Sequence, residues 1–199
     1  MALSQVAICN LALGHIGDRG RIEALTENGV QSRECLRWYD LSLQEALEAF
    51  DWSFARRRIA LAVHSDDPPA EWAFRYALPA DCLKARRLVN PAGPKANAVP
   101  YELELSDDGT QRTLLTNLED AVLVYTRVQN DPLLYSTQFV LALSHTLASH
   151  IALALTGKTA IAEQQMKLAY ARTFEAAGSN ANEEVPDEPR PAEAIAARA

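Results

Sequence analysis

Asp131-Pro132 opens a stretch that runs through Phe139-Val-Leu-Ala-Leu-Ser-His-Thr-Leu-Ala-Ser-His-Ile-Ala-Leu-Ala-Leu155. It breaks at Thr156-Gly157 and resumes as Thr159-Ala-Ile-Ala-Glu-Gln-Gln-Met-Lys-Leu-Ala-Tyr-Ala-Arg-Thr-Phe174. Phe139, Leu143, Leu147, Ile151 and Leu155 recur every fourth position, which places them on one side of a helix. Ala142, Ser144, Ala148, Ser149, Ala152 and Ala154 between them are small enough for a neighbouring backbone to come close. A helix apolar nearly all round belongs in a protein interior or a subunit contact. Beyond Gly157 the spacing predicts a second helix with a seam of Ala162, Met166, Ala169, Tyr170, Phe174 and Ala177. So short a break makes the two an antiparallel hairpin. That hairpin is the expected core on which the rest of the chain packs.

Before it, the period of the pattern changes twice. Ser4 suits the N-cap of a first helix over about 4–16, with Gly14 or Gly17 near its end. Asn28 and Gln31 have the spacing of a capping box for a second helix over about 29–50, whose seam reads Leu36, Tyr39, Leu43, Ala46, Leu47 and Phe50. From about 53 to 130 the helical stripes stop and turn residues recur at short intervals. Residues 54–63, 72–78, 83–89, 101–105, 112–117 and 121–128 read as strands, with Asp107-Asp-Gly109 as a hairpin signal. Two N-terminal helices, a small inserted antiparallel sheet, and two C-terminal helices over about 133–156 and 159–177 make an α+β protein built on a helical bundle. A single domain over 1–178 leaves 179–199 as an acidic, proline-rich C-terminal extension with little to bury, expected to be disordered when alone.

Composition narrows the function. The net charge is −7, and it is uneven: residues 1–52 carry −4, 53–131 carry −1, 132–178 carry +1 and 179–199 carry −3. An acidic balance argues against a dedicated nucleic-acid binder. Cys9, Cys35 and Cys82 are odd in number and lack metal-ligand spacing, which fits a reducing compartment. The start lacks the basic region of a signal peptide, and 139–155 is short for a membrane span and holds two histidines. The expectation is a soluble protein made in the cytoplasm, with no membrane contact.

No constellation of catalytic residues emerges. Gly157-Lys158-Thr159 ends like a phosphate loop, but Ala152 stands where that motif needs glycine and a helix leads in. His145 and His150 lie five apart and point about 140° from each other on a helix, so they cannot grip one metal; His15 and His64 have no evident partner. Glu102 and Glu104 share one face of a solvated hairpin. Arg56-Arg57-Arg58 and Arg86-Arg87 are the basic clusters, and on strands each splits between two faces, which favours pairing with acidic neighbours over a DNA stripe. The residues therefore predict no enzyme, no cofactor and no metal.

The order of these pieces resembles the head-to-tail adaptors of tailed bacteriophages, the family of tail tubular protein A and the gene-transfer-agent adaptors. The resemblance is carried by Ala12-Leu-Gly-His-Ile-Gly17, Ile22-Glu-Ala-Leu25, Cys35-x-x-x-Tyr39-Asp40 and Leu47-x-x-Phe50-x-Trp52-Ser-Phe-Ala55. Leu61, Trp72-Ala-Phe-Arg-Tyr-Ala-Leu-Pro-Ala-Asp-Cys-Leu83 and the late hairpin complete it, over roughly residues 3–178. It implies a structural virion protein at the head–tail junction, made in the host cytoplasm. Such proteins form a ring, commonly of 12 copies, beneath the portal protein; the ring extends the DNA channel and docks a tail, nozzle or stopper protein. DNA would pass without sequence-specific binding. A ring needs two different faces per subunit, for which the second helix and the hairpin offer Arg33, Arg37, Tyr39, Phe139, His145 and Tyr170. Family habit and composition together place portal contacts on Glu183, Glu184, Val185, Pro186, Asp187 and Ile195. The other reading is a helical regulatory or DNA-associated protein using Arg56, Arg57 and Arg58, with a wall hydrolase a distant third.

Overall fold

The computed structural model describes residues 3–183, and side-chain surroundings through Ala177. The architecture is α+β. Helices α1 (Gln5–His15) and α2 (Val30–Ala49) come first, and strands β1 (Arg56–Ala60), β2 (Phe74–Ala77), β3 (Cys82–Leu88), β4 (Glu102–Leu105), β5 (Arg112–Thr116) and β6 (Val122–Arg127) follow. Helices α3 (Thr137–Thr156) and α4 (Thr159–Glu183) close the chain.

Local chemistry sets the helix ends. The Ser4 hydroxyl accepts from the Ala7 amide, and that of Ser136 accepts from Phe139 N–H, each satisfying an otherwise orphaned donor. Asp131 caps the 3-10 turn Pro132–Leu134 that leads into α3. Gly157 ends α3 with φ 67°, the left-handed conformation that a side chain would strain. Its place beside Lys158 and Thr159 is thus a helix stop. The expected capping box is corrected: α2 starts after Gly29 without a side-chain cap. Ser32 instead donates to the carbonyls of Glu27 and Gly29.

Helix α3 is the centre. Twelve of its twenty residues are buried, from Phe139 to Ala152. The helix is long and apolar enough to cross a membrane by length and composition, yet 67% of its apolar window is covered by the rest of the fold. It is wrapped by α1, α2 and α4. An aromatic group locks its start to the sheet junction: Phe139 meets Trp52, Phe54 and Tyr135 at ring-centroid distances of 5.0, 4.9 and 4.8 Å. Trp52 donates its indole N–H to the Ala46 carbonyl at 2.8 Å.

The helix phases differ from expectation in two places. On α2 the buried line is Cys35, Tyr39, Leu43, Ala46 and Leu47, and Leu36 is 55% exposed. On α4 the face turned to α3 carries Gln165, Ala169 and Ala176, while Met166, Tyr170 and Phe174 are 42, 63 and 82% exposed. Small residues let α4 lie close, so the large apolar ones are rotated outward. The helix also runs past Gly178 to Glu183.

The inserted β region forms two antiparallel three-stranded sheets, in orders β1-β6-β3 and β2-β5-β4, where one sheet was expected. Residues from both sheets share a second core around Tyr76, Leu114, Leu123 and Tyr125. Each of the six stretches read as strands overlaps one, with β3 starting one residue earlier, at Cys82. The strand β3 slips register twice against β6, at Leu83 and at Arg86, and its Lys84 and Arg86 side chains reach the end of α2.

Candidate functional site

Whether the arginine clusters make a basic surface depends on what each side chain holds. Arg86 donates Nη2 to the Leu47 and Phe50 carbonyls at 2.9 and 2.6 Å, and Nε to Thr126 Oγ1 at 2.8 Å. Lys84 Nζ donates to the Glu48 carbonyl at 3.0 Å. Two cations on β3 thus close the C-terminal end of α2, where the helix dipole is negative and carbonyls lack partners. Arg56 is held by Asp51 at 3.0 Å. Of the five clustered arginines, Arg56 and Arg86 serve the fold, and Arg57, Arg58 and Arg87 face water. In the second sheet Arg75, only 5% exposed, gathers Asp107 at 2.6 Å, Asp66 at 3.3 Å and Glu104 at 3.8 Å. That acidic collar ties β2 to the β4–β5 hairpin.

A buried polar junction joins the first, third and fourth helices. The His15 and His145 rings stack at 3.9 Å. Ser144 Oγ gives its proton to the Leu141 carbonyl, so His15 Nε2 donates to it at 3.0 Å. Gln165 Nε2 donates to the His15 carbonyl, which turns its Oε1 toward His145 Nδ1 at 2.7 Å. Burial, then the neighbouring His145 and Arg172, lowers the His15 pKa from 6.5 to about 4. His150 is separate: its ring stacks on Trp38 and its Nε2 meets Glu45 at 2.8 Å. The Cys9 and Cys35 thiols meet in the core, where the hydrogen bond between them, then burial, pushes the Cys9 thiol up. Among the described residues, no group of three His, Cys, Asp or Glu side chains could hold a metal ion.

The residues expected at a subunit interface separate into two groups. Arg33 and Arg37 lie on the exposed face of α2, Arg37 pairing with Glu34 at 3.1 Å, and Tyr170 is on the exposed face of α4. Tyr39, Phe139 and His145 are corrected: they are 2, 0 and 6% exposed within the chain itself. Tyr39 and Phe139 belong to the bundle core, and His145 to the polar junction with His15. Of the expected portal contacts, Glu183 is the last residue of α4; Glu184, Val185, Pro186, Asp187 and Ile195 lie outside the described residues.

Large apolar side chains also remain in water. Met166, Tyr170 and Phe174 follow one another at intervals of four and form a stripe along α4. Beside the stripe runs a groove of about 630 Å³, floored by Ala49 and Phe50 from the end of α2 and walled by Tyr170, Phe174 and Ala177. A smaller recess of about 200 Å³ continues it past Met166 toward Lys84. On α2, Val30, Leu36 and Leu41 are 50, 55 and 52% exposed. This stripe and groove form a continuous exposed apolar surface. No protein-family model and no curated protein sequence matches this chain.

Proposed function

We propose that this protein is a structural assembly subunit: a head-to-tail adaptor of a bacteriophage-type particle. In this reading it forms a ring, of 12 copies by the family habit, beneath a portal protein. The ring extends the channel through which DNA passes and presents a docking surface to the tail, nozzle or stopper. The reading rests on the resemblance of residues 3–178, and the observation that supports it best is the exposed apolar stripe Met166–Tyr170–Phe174. Three large side chains aligned on one helix favour burial against another protein. A ring joins unlike faces head to tail, and the exposed Val30 and Leu41, on one side of α2, give apolar surface on another helix. Of the arginines the DNA-associated alternative would use, Arg56 is held by Asp51, while Arg57 and Arg58 face water.

The test is direct imaging of the protein mixed with portal rings by negative-stain electron microscopy. Added density of matching symmetry below the portal is expected. Tyr170→Ser and Leu41→Ser should each remove it while circular dichroism stays unchanged. Failure to bind portal, together with salt-dependent binding of the isolated protein to DNA, would overturn the reading in favour of the alternative.

A further inference from the structure

Two edges of the β region present backbone to water, and they carry opposite charge. In the order β1-β6-β3 the strand β1 is an outer strand, and β4 is an outer strand in β2-β5-β4. The Leu61 amide donates to the Ala121 carbonyl, which continues the β1–β6 register one pair beyond Ala60 and Val122. Hydrogen-bonded pairs alternate along an antiparallel ladder. Arg57 and Ile59 therefore bond β6, while Arg58 and Ala60 turn their N–H and C=O outward. On β4 the Ser106 amide donates to the Gln111 carbonyl and sets the phase in the same way. Glu102 and Glu104 bond β5, and Leu103 and Leu105 turn outward. Among the described residues, no hydrogen bond meets those outward backbone groups. All of β4 is exposed, as is β1 from Arg57 onward.

A bare edge strand is a template for a strand from another chain, and here the charges select which one. β1 reads Arg56-Arg57-Arg58-Ile59-Ala60, and β4 reads Glu102-Leu103-Glu104-Leu105. Arg57, Arg58 and Glu102 make no ion pair among the described residues. Glu104 lies 3.8 Å from Arg75 yet keeps 41% of its side chain in water. We propose that β4 of one copy adds to β1 of a second copy as an antiparallel strand, with Arg58 opposite Leu103. In that register Arg58 and Leu103 exchange both of their outward backbone hydrogen bonds. Arg57 then stands directly across from Glu104 and diagonal to Glu102, both within reach of a long side chain. Pairing β1 with β1, or β4 with β4, would crowd like charges together. The contact thus joins unlike edges, and each copy in a chain of copies uses one edge of each kind. The inference deepens the ring reading by naming a contact between neighbouring copies, and rests on it only for closure of the chain of copies into a ring.

Disulfide trapping between full-length variants tests it. Arg57→Cys in one copy and Glu104→Cys in the next would form a non-hydrogen-bonded pair with Cα atoms about 4.5 Å apart, within the range a disulfide needs. The native cysteines are buried and stay out of the reaction. Oxidation with copper-phenanthroline in air should give a covalent dimer from the mixture of the two variants and none from either alone. Charge reversal supplies a second readout. Arg57→Glu and Glu102→Arg each spoil one edge, and each alone should self-associate about fivefold more weakly in sedimentation velocity. Mixed, each provides the edge the other lacks, and dimers should return. No covalent dimer in the mixture overturns the inference, and so does a dimer from Arg57→Cys alone, which would pair β1 with itself. Salt-dependent DNA binding that Arg57→Glu abolishes would give this edge to nucleic acid and overturn it as well. If the variants crosslink and no density appears beneath portals, only the ring reading fails. If rings form on portals and the variants crosslink neither there nor in solution, only this inference fails.

Discussion

Replacing Arg86 by alanine removes the most concentrated link between sheet and bundle. The side chain makes three hydrogen bonds at 2.6–2.9 Å, two of them to the end of α2. A hydrogen bond from a charged donor contributes about 1.5–3 kcal/mol net. Arg86 is only part-buried, so water re-solvates some of what is lost. Taking about 1 kcal/mol per bond gives about 3 kcal/mol for Arg86→Ala. For a chain of this size that is a fall in Tm of about 6–12 °C. Arg87, its neighbour in sequence, is exposed and has no such partners, so Arg87→Ala should stay within about 0.5 kcal/mol of wild type. Arg86→Lys keeps the charge but not the fork of donors, and should recover less than half the loss. Urea unfolding followed by circular dichroism reads all three. If Arg86→Ala and Arg87→Ala unfold alike, the capping argument is wrong.

Three further outcomes follow from other parts of the fold. Phe139→Ala should cost about 4 kcal/mol in the isolated protein, because the ring is wholly buried among Trp52, Phe54 and Tyr135; thermal unfolding of the isolated protein distinguishes this core role from an interface role, which would leave Tm unchanged. Lowering the pH from about 6.5 to 4 should cost stability, because the unfolded chain takes up a proton at His15 that the folded chain refuses until about pH 4. Discounted for partial exposure, the loss is about 2 kcal/mol, and His15→Asn should flatten urea-midpoint curves over that interval. Arg75→Met should leave Asp66, Glu104 and Asp107 facing one another without their common cation, so amide exchange should quicken in β2, β4 and β5 and remain slow in α3.

The sequence by itself determined the element order, because periods of 3.6 and 2 and the intervening turns are local signals. Phe139, Leu143, Leu147 and Ile151 at fourfold spacing announce a buried helix whatever packs on it, and Ser4 and Gly157 mark helix ends through their own backbone chemistry. Rotation of the outer helices was not legible in the same way. Ala162, Met166, Tyr170 and Phe174 look like a core seam, yet α4 turns Gln165, Ala169 and Ala176 inward, because a close approach to α3 admits only small side chains and His145 needs a polar partner. Nor could local pattern join His15 to His145, or Arg86 to the end of α2; those contacts span 130 and about 36–39 residues of chain. Division of the strands into two sheets likewise depends on which β edges meet. Only the tertiary structure decided which apolar residues fill the core and which are left in water, since the same helical stripe can face either way until its neighbours are in place.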